Sequence, residues 1–512
     1  MTTDSLTARL DPVTLSVMAS ALTGIAEEMG TVLIRSSYSS NIKERRDCST
    51  ALFDARGRMV AQAEHIPVHL GAMPEAVAAV MARDPGPGDV FVINDPFSGG
   101  THLPDITLVS TIAPYGDIIG YGVTRAHHSD VGGIRPGSMA AGTTEIYQEG
   151  LIIPPVRITD EVLELIRANT RTPAIRGGDI LAQLAANRVA EARLRDLCER
   201  RGLEIVLAAF DELLAYGERR AREAIRALPN GRYETTSFME GDGRTDEDIA
   251  IRVAVTVNDD QLVVDFAGSS DAVEGNVNCP LAVTRSACYF AFKVLLGEDV
   301  PGNAGAYVPI HVVAPVGSFV NAQKPSAVAA GNMETSQRVA DTVLLALSQV
   351  ANVPAQGQGT HNVVTIGGSH WTYVETLGGG QGASSSGPGS SGVHVGTTNT
   401  LNTPIEALEL EFPLRVERYE LLRGSGGAGR FRGGDGLVRS LRVLEPAFLS
   451  LLTERRRHAP QGLRGGAAGR PGRNLVNADQ LPSKATRELR PGDVVTIETP
   501  GGGGWGVAGS DG

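Results

Sequence analysis

Cysteine is nearly missing from this chain: Cys48, Cys198, Cys279 and Cys288 are scattered over 512 residues, with no Cys-x-x-Cys pair. That spacing excludes a disulfide framework and a cysteine-built zinc ribbon. No run approaches the ~18 consecutive apolar residues that span a bilayer. Met1-Thr2-Thr3-Asp4-Ser5-Leu6 lacks the basic start and apolar stretch of a secretion signal, so the cytoplasm is the expected compartment. Positive charge is in deficit, with 46 Lys and Arg against 58 Asp and Glu and a formal net charge of -12. Neither nucleic acid nor an anionic membrane is the expected partner of such a surface. Nucleotide and nucleophile signatures are missing as well. No Gly-x-x-x-x-Gly-Lys-[Ser/Thr] loop and no Gly-x-Ser-x-Gly elbow occurs, which argues against ATP binding by this chain and against a serine hydrolase.

Glycine is in excess, with 62 residues, roughly 12% against a usual ~7%. Many tight turns and long irregular connections are expected from it. Asp11-Pro12 opens a helix whose Val13, Leu15, Met18, Leu22, Ile25, Met29 and Val32 recur at helical spacing. Strands are predicted over 47–54 and 59–63, joined by a turn at Ala55-Arg56-Gly57-Arg58, and over 90–93, 106–112 and 118–124. A second helix is predicted from Pro74 to about Arg83. Residues 161–228 read as strongly helical, and their many Arg–Glu pairs read as solvated faces. A hairpin is expected over 250–267, a helix after Asn278-Cys279-Pro280, and another over 334–352. The fold class is mixed α/β (α+β), with several β-sheets, a helical segment near 161–228 and a Gly-rich, strand-rich C-terminal part. The divisions are a 1–160 region carrying the site, the 161–228 helical segment, a 229–356 α/β region and a 357–512 mostly β region, all expected to form one integrated subunit.

Asn94-Asp95-Pro96-Phe97-Ser98-Gly99-Gly100-Thr101-His102-Leu103-Pro104-Asp105 and Arg125-Ala126-His127-His128-Ser129-Asp130 hold three of the ten histidines. Imidazole and carboxylate are the side chains that bind divalent metals through N and O, and they also move protons. His102 and Asp105, in His-x-x-Asp spacing, can meet one cation. His127 or His128, at the end of a neighbouring strand, can supply a third ligand, but only one of them, since adjacent strand residues face opposite ways. A hydrogen-bonded polar loop is the plain alternative for any single histidine here. Zinc, manganese and iron all suit such a mixed set. His65 and His69 also stand four apart, but Pro67 between them breaks the helix that would make a metal clip, so pocket lining or a core hydrogen bond is expected. Cys48 reads as a buried structural cysteine rather than a nucleophile.

These segments together resemble the hydantoinase B/oxoprolinase family. The resemblance rests on Asp11-Pro12-Val13-Thr14, Glu44-Arg45-Arg46-Asp47-Cys48-Ser49, Ile66-Pro67-Val68-His69-Leu70-Gly71 and the two His/Asp segments. Later matches are Gly331-Asn332-Met333-Glu334, Thr398-Asn399-Thr400, Ser425-Gly426-Gly427-Ala428-Gly429 and Thr499-Pro500-Gly501-Gly502-Gly503-Gly504-Trp505-Gly506. It implies a hydrolytic subunit that opens a cyclic amide (hydantoin, 5-oxoproline or lactam) once a separate hydantoinase A-type ATPase subunit, using ATP and magnesium, has phosphorylated it. ATP and magnesium then enter only through that partner of a hetero-oligomer. The resemblance also implies a divalent transition metal held by Asp47, His102, Asp105 and His127. The choice of His127 over His128 comes from it alone, as does Asp47. Asp130 or His128 would then take a proton or orient a ligand. The rival expectation is a subunit of an ATP-dependent ketone carboxylase of the acetone or acetophenone type.

Overall fold

The computed structural model describes residues 10–64, 66–69, 71–297 and 300–509. His65 and the Met1 to Leu6 stretch lie outside the described residues. The fold is mixed α/β, with four sheets. The first sheet is built from β1 (Cys48–Asp54), β2 (Met59–Glu64), β3 (Val90–Ile93), β4 (Asp105–Ile112), β5 (Gly120–His127) and β6 (Val156–Arg157), in the order β2-β1-β5-β4-β3-β6. The second joins β7 (Gly231–Glu240), β8 (Asp248–Asn258), β9 (Gln261–Asp265) and β10 (Ile310–Val313). The third holds β11 (Val363–Gly367) and β12 (Thr372–Glu375) with β15 (Ala447–Leu452) and β18 (Lys484–Leu489). The fourth holds β13 (Leu414–Leu422), β14 (Gly436–Val443), β16 (Arg473–Val476), β17 (Asp479–Leu481) and β19 (Val494–Glu498).

The helices are α1 (Pro12–Ser36), α2 (Ser40–Lys43), α3 (Met73–Met81), α4 (Asp160–Ala168), α5 (Pro173–Arg201), α6 (Leu203–Arg226), α7 (Leu281–Lys293), α8 (Ala304–Tyr307), α9 (Ser336–Leu347) and α10 (Ile405–Glu411). Asp11 caps α1 as its sequence implies, accepting from the Val13 and Thr14 N–H groups at 3.0 Å each. Among the described residues, α1 is the one helix long and apolar enough to cross a membrane by those measures alone. Its Met18, Leu22, Ile25, Met29 and Leu33 instead pack with Leu194 of α5 and Phe210 of α6 in one apolar cluster. Val13, placed on that stripe by spacing, is 72% exposed, while Leu10 and Leu15 on either side of it pack against the cluster. The predicted helix over 180–228 breaks at Gly202, whose φ of 90° ends α5. The largest core cluster takes side chains from β1, α6, β8, α7, α9 and β11, so it crosses all four sequence divisions.

The glycine runs do something other than turn. Gly380 N–H donates to Pro500 O at 2.9 Å, Gly434 to Gln381 O at 2.9 Å, Gly502 to Gly434 O at 2.9 Å and Gly427 to Gly502 O at 2.8 Å. Three glycine-rich stretches, 378–382, 424–436 and 501–504, thus lie side by side as bare backbone, hydrogen-bonded in more than one direction. A Cβ at Gly502 would sit 2.0 Å from Gln381 O, and one at Gly434 only 1.8 Å from Ser390 O. These glycines are needed for close approach, and neither has a positive φ.

Candidate metal centre

The site is assembled where strands end. Asp105 opens β4 and His127 closes β5, and the two are direct cross-strand partners. Asp47, one residue before β1, accepts the His127 backbone N–H through its own carbonyl at 3.0 Å. His102 arrives on the loop between β3 and β4. Asn94 holds that loop by donating to Leu103 O at 2.8 Å and Leu151 O at 2.9 Å and accepting from Ile153 N–H at 2.7 Å. Gly99, at φ 101°, turns the loop so tightly that a Cβ would strike the backbone of Glu75 and Ala76 at 2.5 Å.

His102, Asp105 and His127 are all buried, and their ligand atoms lie within 4.8 Å of one another. Asp105 is the hub. Its Oδ2 is 3.0 Å from His102 Nδ1 and 3.5 Å from His69 Nε2, and its Oδ1 is 3.4 Å from His127 Nδ1. Thr101 adds a short hydroxyl bond to the same carboxylate. Burial alone would raise the Asp105 carboxyl, but His102, His127 and His69 outweigh it and hold the group well below the usual carboxylate range. Burial pushes His102 the other way, below its ordinary value, against the pull of Asp105.

Two observations test whether a metal fits. His102 Nε2 and His127 Nε2 are buried and have no hydrogen-bond partner, a rare condition for polar atoms. The spacing of the three donors suits a divalent ion, whose N and O ligands sit at ~2.0–2.2 Å. The residues present therefore fit a metal. Asp105 and His127 border a cavity of about 20 Å³, room for one small occupant, while His102 sits behind them outside its lining. Asp47 lines it, as do His69, Asn332, His361, Thr376, Thr398 and Thr400. Asp47 stands outside the group of three converging donors and keeps Arg45 at 3.9 Å.

His69 occupies the pocket-lining place expected of it, with Nδ1 2.9 Å from Ser49 Oγ. His128 and Asp130 do not reach this cavity. Strand alternation turns His128 toward α5, where its Nε2 lies 2.9 Å from Gln183 Oε1. Asp130 is occupied as a loop anchor, accepting from the N–H groups of Gly132, Gly137 and Arg171 and pairing with the Arg171 guanidinium at 2.9 Å. Both residues are thus held by protein partners beside the site, and neither lines the cavity itself. Cys48 is buried, and burial pushes its thiol far up, so the structural reading of it stands.

Sequence reasoning missed two neighbours. Asn332 Nδ2 lies 2.9 Å from His102 Nδ1 and 3.2 Å from Asp105 Oδ2. The buried His361, whose Nδ1 has no partner, is pushed down to about 3 by burial and by His394 and His102. Gly331-Asn332-Met333-Glu334 stood out only as a matching segment, with no signal of which residue touches the site. The structure shows a π-type turn there, leading directly into α9.

Burial also raises Glu334 to about 8. An acid whose pKa rises on folding binds its proton more tightly when folded, so stability is full below the unfolded value and falls as pH rises from about 4.5 toward about 8. Glu334→Gln is expected to flatten that fall, read as the difference in melting temperature between pH 5 and pH 8. An unchanged slope would show that other groups carry it.

The profile of the hydantoinase B/oxoprolinase family matches residues 11–508. An uncharacterised protein of Methanocaldococcus jannaschii is 39% identical, covering 97% of this chain and 91% of that protein. The 5-oxoprolinase 1 of Arabidopsis thaliana is 37% identical over 97% of this chain, but the chain spans only 42% of that relative's length. A Pseudomonas protein, named as the putative B-type subunit of a D-/L-hydantoinase, is 34% identical, with 97% and 90% coverage. Among solved structures, the ATP-dependent caprolactamase of Pseudomonas jessenii superposes with a TM-score of 0.89 at 29% identity, covering 97% of this chain and 91% of that one. This chain belongs to the hydantoinase B/oxoprolinase family.

Proposed function

We propose that this chain is the hydrolytic B-type subunit of an ATP-dependent amidohydrolase, opening the ring of a hydantoin, 5-oxoproline or lactam that a separate A-type ATPase subunit has phosphorylated on its amide oxygen. The observation that carries the reading is the buried His102/Asp105/His127 cluster at the strand ends, with Asp47 on the wall of its cavity. Support comes from the Pseudomonas relative named for a hydantoinase and from the likeness to an ATP-dependent caprolactamase.

His102, Asp105, His127 and Asp47 would hold a divalent zinc, manganese or iron. Such an ion supplies Lewis acidity and lowers the pKa of water at the site. Asp105 fixes the ring orientation of both imidazoles, and burial works against the charged form of His102. Asn332 holds the His102–Asp105 edge, so its amide fixes the angle at which the two present themselves. Phosphorylation makes the amide oxygen a leaving group. One water then adds to the ring carbon and the C–N bond breaks, the ring nitrogen leaving with a proton, and a second water takes the resulting acyl phosphate to carboxylate and free phosphate.

The test combines this chain with its ATPase partner, ATP, magnesium and a panel of cyclic amides. Ring-opened product and phosphate are expected in equal amounts, only when both subunits are present and without added bicarbonate. No product from any amide would reject the reading, and a bicarbonate requirement would replace it with the carboxylase.

A further inference from the structure

A second, larger chamber of about 400 Å³ adjoins the His/Asp cavity, and Thr398 lines both. Its apolar walls are Phe290, Val294, Leu344, Leu345, Val395 and Leu463. Leu344 and Leu345 belong to α9, the helix whose preceding turn brings Asn332 to Asp105. The element that completes the metal centre therefore also builds a wall of the chamber. The size and lining are those of a small-molecule seat. It lies where the Gly-rich segment passes, since Gln381, Gly382 and Asn399 border it as well.

Among the described residues, no lysine or arginine lines this chamber. Apart from the exposed Asn399, its polar side chains make hydrogen bonds or ion pairs within the protein. Gln337 donates to Val395 O at 2.8 Å and accepts from Thr397 N–H at 3.3 Å. Gln356 and Gln381 accept from Gln461 and Ser390 N–H at 2.9 Å and 3.1 Å. His394 has Nδ1 3.2 Å from Thr398 Oγ1 and Nε2 3.4 Å from Thr400 Oγ1. The one acid, Asp341, is paired with Arg455, which lies behind it.

We propose that this chamber seats the substrate ring and selects uncharged, apolar cyclic amides over rings that carry a carboxylate. The inference rests on the amide-opening reading above and names the substrate class for that same site. A carboxylate entering here would leave water without a cation to receive it and would face Asp341. An alkyl ring meets only apolar walls and loses nothing.

The test is a competition in the complete two-subunit enzyme between 2-pyrrolidinone and 5-oxoproline, which are the same ring without and with a carboxylate. The ratio of kcat/KM values is expected to favour 2-pyrrolidinone by about 100-fold or more, a factor of ten being worth ~1.4 kcal/mol. Leu344→Lys places a cation on the α9 wall, and Val294→Lys does so from a position that is already 40% exposed and so tolerates charge without unfolding. Each is expected to shift the ratio at least tenfold toward 5-oxoproline, and because the ATPase subunit is unchanged, the shift belongs to this chamber. Wild-type enzyme that opens 5-oxoproline as well as or better than 2-pyrrolidinone would overturn the inference and leave the amide-opening reading intact. A neutral preference that neither folded variant moves would take the selection away from the chamber. Failure to open either ring would reject the underlying function instead.

Discussion

Wild-type protein is expected to carry close to one transition-metal ion per chain, and Asp105→Asn to carry almost none while keeping its far-ultraviolet circular dichroism. Asp105 touches three imidazoles at once, at 3.0, 3.4 and 3.5 Å. Asparagine keeps the shape and can still accept hydrogen bonds, but it removes the charge that a divalent cation needs most. Loss of metal should carry ring opening down by a factor on the order of 10³ or more. Elemental mass spectrometry on both proteins, before and after anaerobic reconstitution with zinc, manganese and iron, gives the occupancy. The same loss is expected for His102→Ala and His127→Ala, whereas His128→Ala, facing α5, should retain its ion. Well-folded wild type that takes up no metal would make the cluster a hydrogen-bonding acid/base site and end the Lewis-acid chemistry.

The second large effect is expected far from any titratable group. Gly502→Ala and Gly434→Ala add one methyl each, yet the new Cβ would lie 2.0 Å and 1.8 Å from carbonyl oxygens. Backbone cannot step aside as a side-chain tip can, so each change should cost about 3 kcal/mol or more, at the upper end for overpacking. Gly387→Ala is the control, since nothing lies within 4 Å of its Cβ position, and its melting temperature should stay near wild type. Equal melting temperatures for all three variants would show that the stacked runs can separate at little cost.

Much of the centre was legible because metal chemistry uses few side-chain types. His-x-x-Asp beside a strand-end histidine identifies His102 and Asp105 without further help. Strand alternation predicts that only one of His127 and His128 faces the cavity, but not which, because that depends on pairing register. Asp47 could come only from the resemblance, since a lone carboxylate before a strand carries no local signal. Asn332 and His361 lie more than 200 residues from His102 in the chain and meet it only through the packing of α9 and β11. The missed strand β7 has an alternating pattern of half-buried and exposed residues, which polar Thr and Glu positions obscure. Glycine excess was read as turns because composition reports freedom of φ and does not report how closely backbones approach.

A sheet is weakest at its strand ends, where the last pair has neighbours on one side only and frays first. The candidate ligands lie there, beside three adjacent strands, with the His127 N–H bonded to the Asp47 carbonyl on one side and His127 paired with Asp105 on the other. An ion at that spot would do more than chemistry. It would staple three ends that otherwise open independently, so occupancy and local stability would rise and fall together. The dependence also runs backwards: a β5 slipped by one residue would offer His128 in place of His127, an imidazole for an imidazole, but with the inward and outward faces of the strand exchanged. The ion alone could not tell those two registers apart; burial of the strand's inward face has to, and it decides which histidine the ion meets.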